Sequence, residues 1–110
     1  MALYDKAPLV AIGWLNPPFI KAYAFAEKCA AEAPKLVQDS KILLLVPASV
    51  GSNWYRDHVH RQADVLFLNG RISFDNNNNF GKDCMLCVFH AKQTGLIDVW
   101  NWRLDQVNSQ

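Results

Sequence analysis

The sequence predicts an α/β fold: a partial doubly wound sheet of parallel strands with an antiparallel edge hairpin and two helices. Three observations predict it. Short apolar runs without alternation mark strands buried on both faces. Helix-like segments follow the first two of these runs, and a parallel strand pair needs such a crossover. The last third holds several strand candidates with no helical pattern between them, which argues for an antiparallel hairpin at one edge. A chain of 110 residues supports a single domain, 1–110, with no repeat and no internal boundary.

Each element follows from local chemistry. Residues 9–15, "LVAIGWL", form a continuous apolar run read as a strand buried on both faces. Pro17 and Pro18 cannot continue a central strand, so the chain turns there. From Phe19 to Ala33 alanine dominates, with Lys and Glu interspersed, which reads as a helix. Lys21, Lys28, Glu32 and Lys35 recur at helical spacing and mark a solvent stripe. Phe25 falls inside that stripe, out of place on a plain surface helix, and is an interface candidate. Pro34 and "QDS" end the helix. "KILLLVPA" at 41–48 is the clearest strand, buried on both sides and closed by Pro47. After the loop "VGSN", Ser52 or Asn53 caps a short helix through "WYRDHVHRQA". "DVLFLN" at 64–69 is a third strand, and "GRISF" follows Gly70. "DNNNNFGKD" is a polar loop without a pattern of its own. "CMLCVFH" at 84–90 and "GLIDVWNW" at 95–102 are two more strands, and the polar tail "DQVNSQ" frays.

Composition narrows the function classes. Hydrophobic residues make up 51% and charged ones 19%, a globular balance. The net charge of +1 supplies no bulk attraction to nucleic acid or membrane, so any DNA contact must come from a local patch. The opening "MALYDKAPLVAIGW" lacks the basic-then-apolar pattern of a leader, and "ILLLVPA" falls far short of the roughly 20 residues that cross a bilayer. Three scattered cysteines make no disulfide framework, which points to a reducing cytoplasm.

The turn "NPPF" is the chemical centre of the sequence. Ligands of open α/β sheets sit beyond the carboxyl ends of the strands, where this turn falls. Its prolines stiffen the backbone and remove donors, leaving carbonyls to point at a ligand. Asn16 adds a side-chain acceptor and two donors, and Phe19 a flat ring on which a base stacks. Acceptors around an amine, beside a stacking ring, suit the exocyclic amine of a flipped base.

Other candidates carry plainer alternatives. Cys84 and Cys87 make C-x-x-C inside a strand pattern, where residues three apart point to opposite faces, so two buried structural thiols outrank a metal site. His58 and His60 share a face only on a strand, and on the expected helix they point apart; no metal is expected. Arg56, Arg61, Arg71 and Lys82 either gather at the rim of the turn to touch DNA phosphates or form a charge-mixed surface with Asp57 and Asp64. Trp100 and Trp102, at alternating spacing, pack onto one face of the sheet or mark an interface. The first strand, left alone, is an apolar edge that needs cover from a second copy, a partner chain or the C-terminal strand folding back.

Beyond these readings, the chain resembles a family. Asn-Pro-Pro-aromatic is the catalytic motif of amino methyltransferases acting on adenine, less often cytosine, in DNA. The succession "ILLLVPAS", "NWYRDHV", "ADVLFLNGRISF" and "CMLCVFH" after it is similar to the phage-type DNA adenine methyltransferases, over residues 12–90. The resemblance implies a partial Rossmann-like methyltransferase sheet and methyl transfer from S-adenosylmethionine to the adenine exocyclic amine. It implies that Asn16 and the Pro17 carbonyl hold the amine, Pro18 keeps the turn rigid and Phe19 stacks on the base. Arg71 would sit at a phosphate or base and Trp54 in packing. Family members carry a substantial segment before the motif, with an aspartate-containing element for the donor, whereas fifteen residues precede Asn16 here. The expectation is therefore a target-base half, incomplete as an enzyme by itself. The alternative is a non-catalytic phage or mobile-element protein that binds DNA or a host nucleic-acid-processing or defence complex. A homo-oligomer or a protein partner over the sheet edge fits either.

Overall fold

Ile12–Leu15 forms the first strand, β1, and the two prolines that follow end it, as their missing N–H groups require. The structure, a computed structural model, describes residues 12–37, 39–72, 82–92 and 94–101. A 3₁₀ turn at Phe19–Lys21 leads into helix α1, Ala22–Glu32, and a second 3₁₀ turn at Ala33–Lys35 closes it. Pro34 lies in that second turn, where its lost donor and ring stop the α-helical ladder. Strand β2 is Lys41–Pro47, helix α2 Asn53–His58, β3 Asp64–Leu68, β4 Cys84–Phe89 and β5 Ile97–Trp100.

The strands form one mixed sheet in the order β1-β2-β4-β3-β5. β1 and β2 are parallel, joined by α1 as the crossover. β4 is antiparallel to both β2 and β3, and β5 lies parallel on β3. The expected α/β class, parallel strands, antiparallel hairpin and two helices are all present. The hairpin β3–β4 is not the rim itself, because β5 adds one strand outside β3.

Alternation along the strands sorts the two faces. Leu44 and Val46 of β2, Met85, Cys87 and Phe89 of β4, and Val65 of β3 join one buried cluster. Helix α1 meets it with Ala22, Ala26 and Cys29, and Ala33 continues the stripe; its small side chains allow close approach to the sheet. Tyr55 of α2 and the following Val59 and Ala63 complete the core.

Four expectations need correction. β1 is not buried on both faces: Ile12 is 67% and Trp14 57% exposed, because among the described residues no layer covers their face and no strand lies outside β1. The C-terminal strand does not fold back over β1. Backbone bonds from Val65 N–H to Leu96 and from Asn69 N–H to Trp100, each 2.8 Å, hold it at the opposite rim. α2 stops at His58 rather than running through residue 63, since Arg61 takes a left-handed φ of 64° that a right-handed helix excludes. Gln62 Nε2 caps the Asp57 carbonyl at 2.6 Å. Ser52 holds the N-cap position, but its hydroxyl donates to the Ser49 carbonyl at 2.6 Å instead of capping the helix. The asparagine loop, Trp102 and the tail lie outside the described residues.

Candidate functional site

The turn Asn16–Phe19 sits at the carboxyl end of β1, beside the carboxyl end of its parallel neighbour β2. Pro17 is buried, whereas Asn16 and Pro18 are exposed and Phe19 is 41% exposed. The Lys21 N–H donates to the Pro18 carbonyl at 2.9 Å, which closes the 3₁₀ turn. Among the described residues the Pro17 carbonyl receives no such donor, and the Asn16 amide has no side-chain partner. A rigid turn thus presents a carbonyl, a carboxamide and an accessible ring together.

Topology decides which other candidates join it. Pro47 pairs with Cys84, and the Ala48 N–H donates to the Asp83 carbonyl at 2.9 Å, so the start of β4 reaches this end. β3 runs antiparallel to β4 and therefore also finishes here, followed by Asn69, Gly70 and Arg71. Ile72 and Lys82 exchange backbone bonds of 3.0 and 2.9 Å across the strand-like neck that follows. Arg71 Nε stands 3.1 Å from the Asp83 carboxylate, an exposed pair.

Arg71 and Lys82 thus share an end of the sheet with Asn16, Pro17, Pro18 and Phe19. Arg61 does not. It lies against Gly95, just before the amino end of β5, so closely that an added Cβ there would stand 3.1 Å from the Arg61 Cα. Arg56 is turned to its own neighbour, with Nε 2.7 Å and a second guanidinium nitrogen 3.2 Å from the Asp57 carboxylate. The four cations do not gather at one rim.

Phe25 is half-buried and packs against the core cluster rather than standing in a solvent stripe. α1 rests on α2 as well as on the sheet, so its buried sector is wider than a single stripe. Trp54 packs on the same core, as its expected role requires. Trp100 stands on the helix-free face, where it joins Trp14, Leu43, Leu45, Leu68, Leu86 and Ile72 around an apolar trough of about 460 Å³.

Cys84 and Cys87 occupy opposite faces of β4, both buried, and all three thiols are free. Burial pushes Cys29 up to about 11 and Cys87 to about 12, which leaves them protonated and unreactive. His58 closes α2 edge-on to Tyr23, with ring centroids 5.1 Å apart and Glu27 at 3.9 Å. His90 contacts Asp64, and no group of three metal-ligating side chains assembles among the described residues.

Asp64 is the residue that sequence reasoning undervalued. Its carboxylate accepts the Leu96 N–H at 2.9 Å and the Thr94 hydroxyl, and stands 2.9 Å from His90 Nε2. Burial pushes this carboxyl up, but the bonds from Thr94, Leu96 and His90 outweigh it and hold it below the usual range. The clasp docks the entry to β5, and its only advance signal was an acid at the first position of an apolar strand.

S-Adenosylmethionine carries hydroxyls and an ammonium that need acidic or carbonyl acceptors. The apolar trough offers none through its lining side chains, and the polar cavity of about 260 Å³ around Asp39, Ser40, Lys41, His90 and Lys92 lies at the sheet's opposite end. Neither described cavity fits a methyl donor aimed at Asn16.

An open α/β sheet with a proline-stiffened Asn-Pro-Pro-Phe turn at its parallel carboxyl ends has the makings of a base-modifying amino methyltransferase. The chain belongs to the Dam family: the family model described as DNA N-6-adenine-methyltransferase (Dam) matches residues 7–93. No curated protein and no solved structure gave a match. Among the described residues no helix is long and apolar enough to cross a membrane.

Proposed function

We propose that the chain supplies the target-base site of a DNA adenine methyltransferase acting in the host cytoplasm. The observation that carries this reading is the grouping, in one closed turn, of the Asn16 carboxamide, the unoccupied Pro17 carbonyl and the accessible Phe19 ring. Two carbonyl acceptors take the two N–H bonds of the adenine amine. They draw its lone pair out of conjugation with the ring, which makes the nitrogen a better nucleophile. Phe19 stacks on the extruded base and Pro18 holds the turn. S-Adenosylmethionine supplies the methyl group in this family's chemistry. Because neither described cavity fits it, the reading assigns the donor to a segment or partner outside the described residues.

Mass-spectrometric counting of N6-methyladenine in unmethylated DNA, with S-adenosylmethionine added, tests the proposal. Methylation by the wild type and its loss in a folded Asn16→Ala variant support it. Methylation that survives Asn16→Ala would sink it.

A second reading is favoured by the trough between Trp14 and Trp100. On that reading the chain is a non-catalytic binding protein of phage or mobile-element origin. It would pair with a second copy or dock on a host nucleic-acid-processing or defence complex. Association that tolerates Asn16→Ala but is lost in Trp100→Ala would favour it over catalysis.

A further inference from the structure

The basic side chains of the described residues divide into two sets. Lys28 and Lys35 face Glu32 at 2.9 and 3.8 Å, Arg56 faces Asp57, and Arg71 faces Asp83. Lys21, Lys41, Arg61, Lys82 and Lys92 have no acidic partner among the described residues, and of these Lys21 and Lys82 stand at the Asn16 end of the sheet. Only Lys21 belongs to the target-base turn itself. Its N–H closes that turn on the Pro18 carbonyl, and in a 3₁₀ turn residues three apart eclipse, so its side chain leaves on the Pro18 side. It is exposed, and it precedes a helix whose first turn holds no acid. A cation at that end works against the helix dipole, a cost the free fold does not recover internally.

We propose that Lys21 is a DNA-phosphate contact of the target-base turn, and that Arg71, already engaged with Asp83, is not. This deepens the adenine-site reading and rests on it. A base extruded onto Phe19 brings its own flanking phosphates along the turn, within reach of a long side chain two residues further on. A phosphate there satisfies the ammonium without breaking an existing ion pair. The same phosphate at Arg71 would have to displace Asp83.

Fluorescence anisotropy with a labelled, adenine-containing, unmethylated oligonucleotide, titrated over a range of salt concentrations, tests the assignment. A phosphate contact contributes about 0.7–0.9 to the slope of log affinity against log salt. Lys21→Ala is expected to lower that slope by about one and to weaken binding alike across sequences. Lys21→Arg keeps the slope, Arg71→Ala leaves it unchanged, and Ile20→Ala, which removes an exposed neutral neighbour, leaves it unchanged too. Circular dichroism confirms that each variant is folded. DNA binding with an unaltered slope in Lys21→Ala overturns this assignment and leaves the adenine-site reading standing. A lowered slope in Arg71→Ala overturns the half that concerns Arg71. Absence of salt-dependent DNA binding by the wild type overturns the adenine-site reading and this assignment with it.

Discussion

His90 Nε2 stands 2.9 Å from the Asp64 carboxylate, bringing the end of β4 against the start of β3. The same carboxylate takes the Leu96 N–H and the Thr94 hydroxyl, so one side chain joins β3, β4 and the entry to β5. Among the described residues no helix lies over β5, and all four of its residues are exposed. Backbone pairing and this clasp both contribute to its attachment.

Asp64→Ala should cost about 1–3 kcal/mol, the range for leaving hydrogen-bonding groups unsatisfied. Hydrogen exchange of the β5 amides should accelerate before that of β2. The acid response has a definite sign. The folded carboxyl is held below its unfolded value, so its stabilisation is full above about pH 4 and lost as pH falls through the folded value. Urea unfolding from pH 7 to pH 2 should show an acid-loss component that Asp64→Asn lacks.

Leu44 and Trp14 sit on neighbouring strands with opposite surroundings. Leu44 is fully buried, and truncation to alanine should cost about 2–5 kcal/mol. Trp14→Ala removes a larger side chain from an exposed position and should change stability by about 0.5 kcal/mol or less. Paired urea titrations check the contrast. Equal losses would mean that the helix-free face is covered in solution.

The thiols should be silent in the native state. With Cys87 raised to about 12 by burial, thiol-reactive reagents at pH 8 should label the folded chain only at the rate of its opening. All three cysteines should label promptly in denaturant. Fast native labelling of Cys84 or Cys87 would show that β4 is not the closed central strand described.

Phe19→Ala should weaken binding of an adenine-containing strand by about 1–3 kcal/mol, the range for a base stacked on an aromatic ring. With 41% of its surface exposed, its truncation should lower thermal stability less than that of a fully buried phenylalanine. A calorimetric titration and a thermal melt on the same preparation separate the two effects.

Gly95 takes a φ of +64° beside the Arg61 backbone. Gly95→Ala should cost about 1–2 kcal/mol from the left-handed conformation, with the 3.1 Å approach adding to it. A lowered melting temperature with an intact α1 signal in circular dichroism checks it.

What the sequence made legible was local. The prolines at 17 and 18 ended β1, Pro34 ended α1, and the apolar run at 41–47 became strand β2, with Leu44, Leu45 and Val46 buried. The three-residue spacing of Cys84 and Cys87 put them on opposite faces. Strand order was not legible, because nothing near Cys87 states that its neighbours are Leu44 and Val65. For the same reason β5 was open to misplacement: its address is written in Asp64, some thirty residues earlier. At the site, the turn was readable from four letters. The separation of Arg61 from Arg71 required the sheet, since it depends on which end of which strand each one follows.

The central position of β4 sets when this fold comes into being. Leu44 and Val65 both lie opposite Cys87, so the two sides of the sheet meet only through a strand that leaves the ribosome after them. Until residues 84–89 have emerged, β1, β2 and α1 form a fragment with an open core, and β3 has neither neighbour. Pairings this distant in sequence carry a high loop-closure cost and slow the search. The nascent chain therefore holds its apolar strands uncovered until β4 emerges, the interval in which chaperones or premature association have their opening.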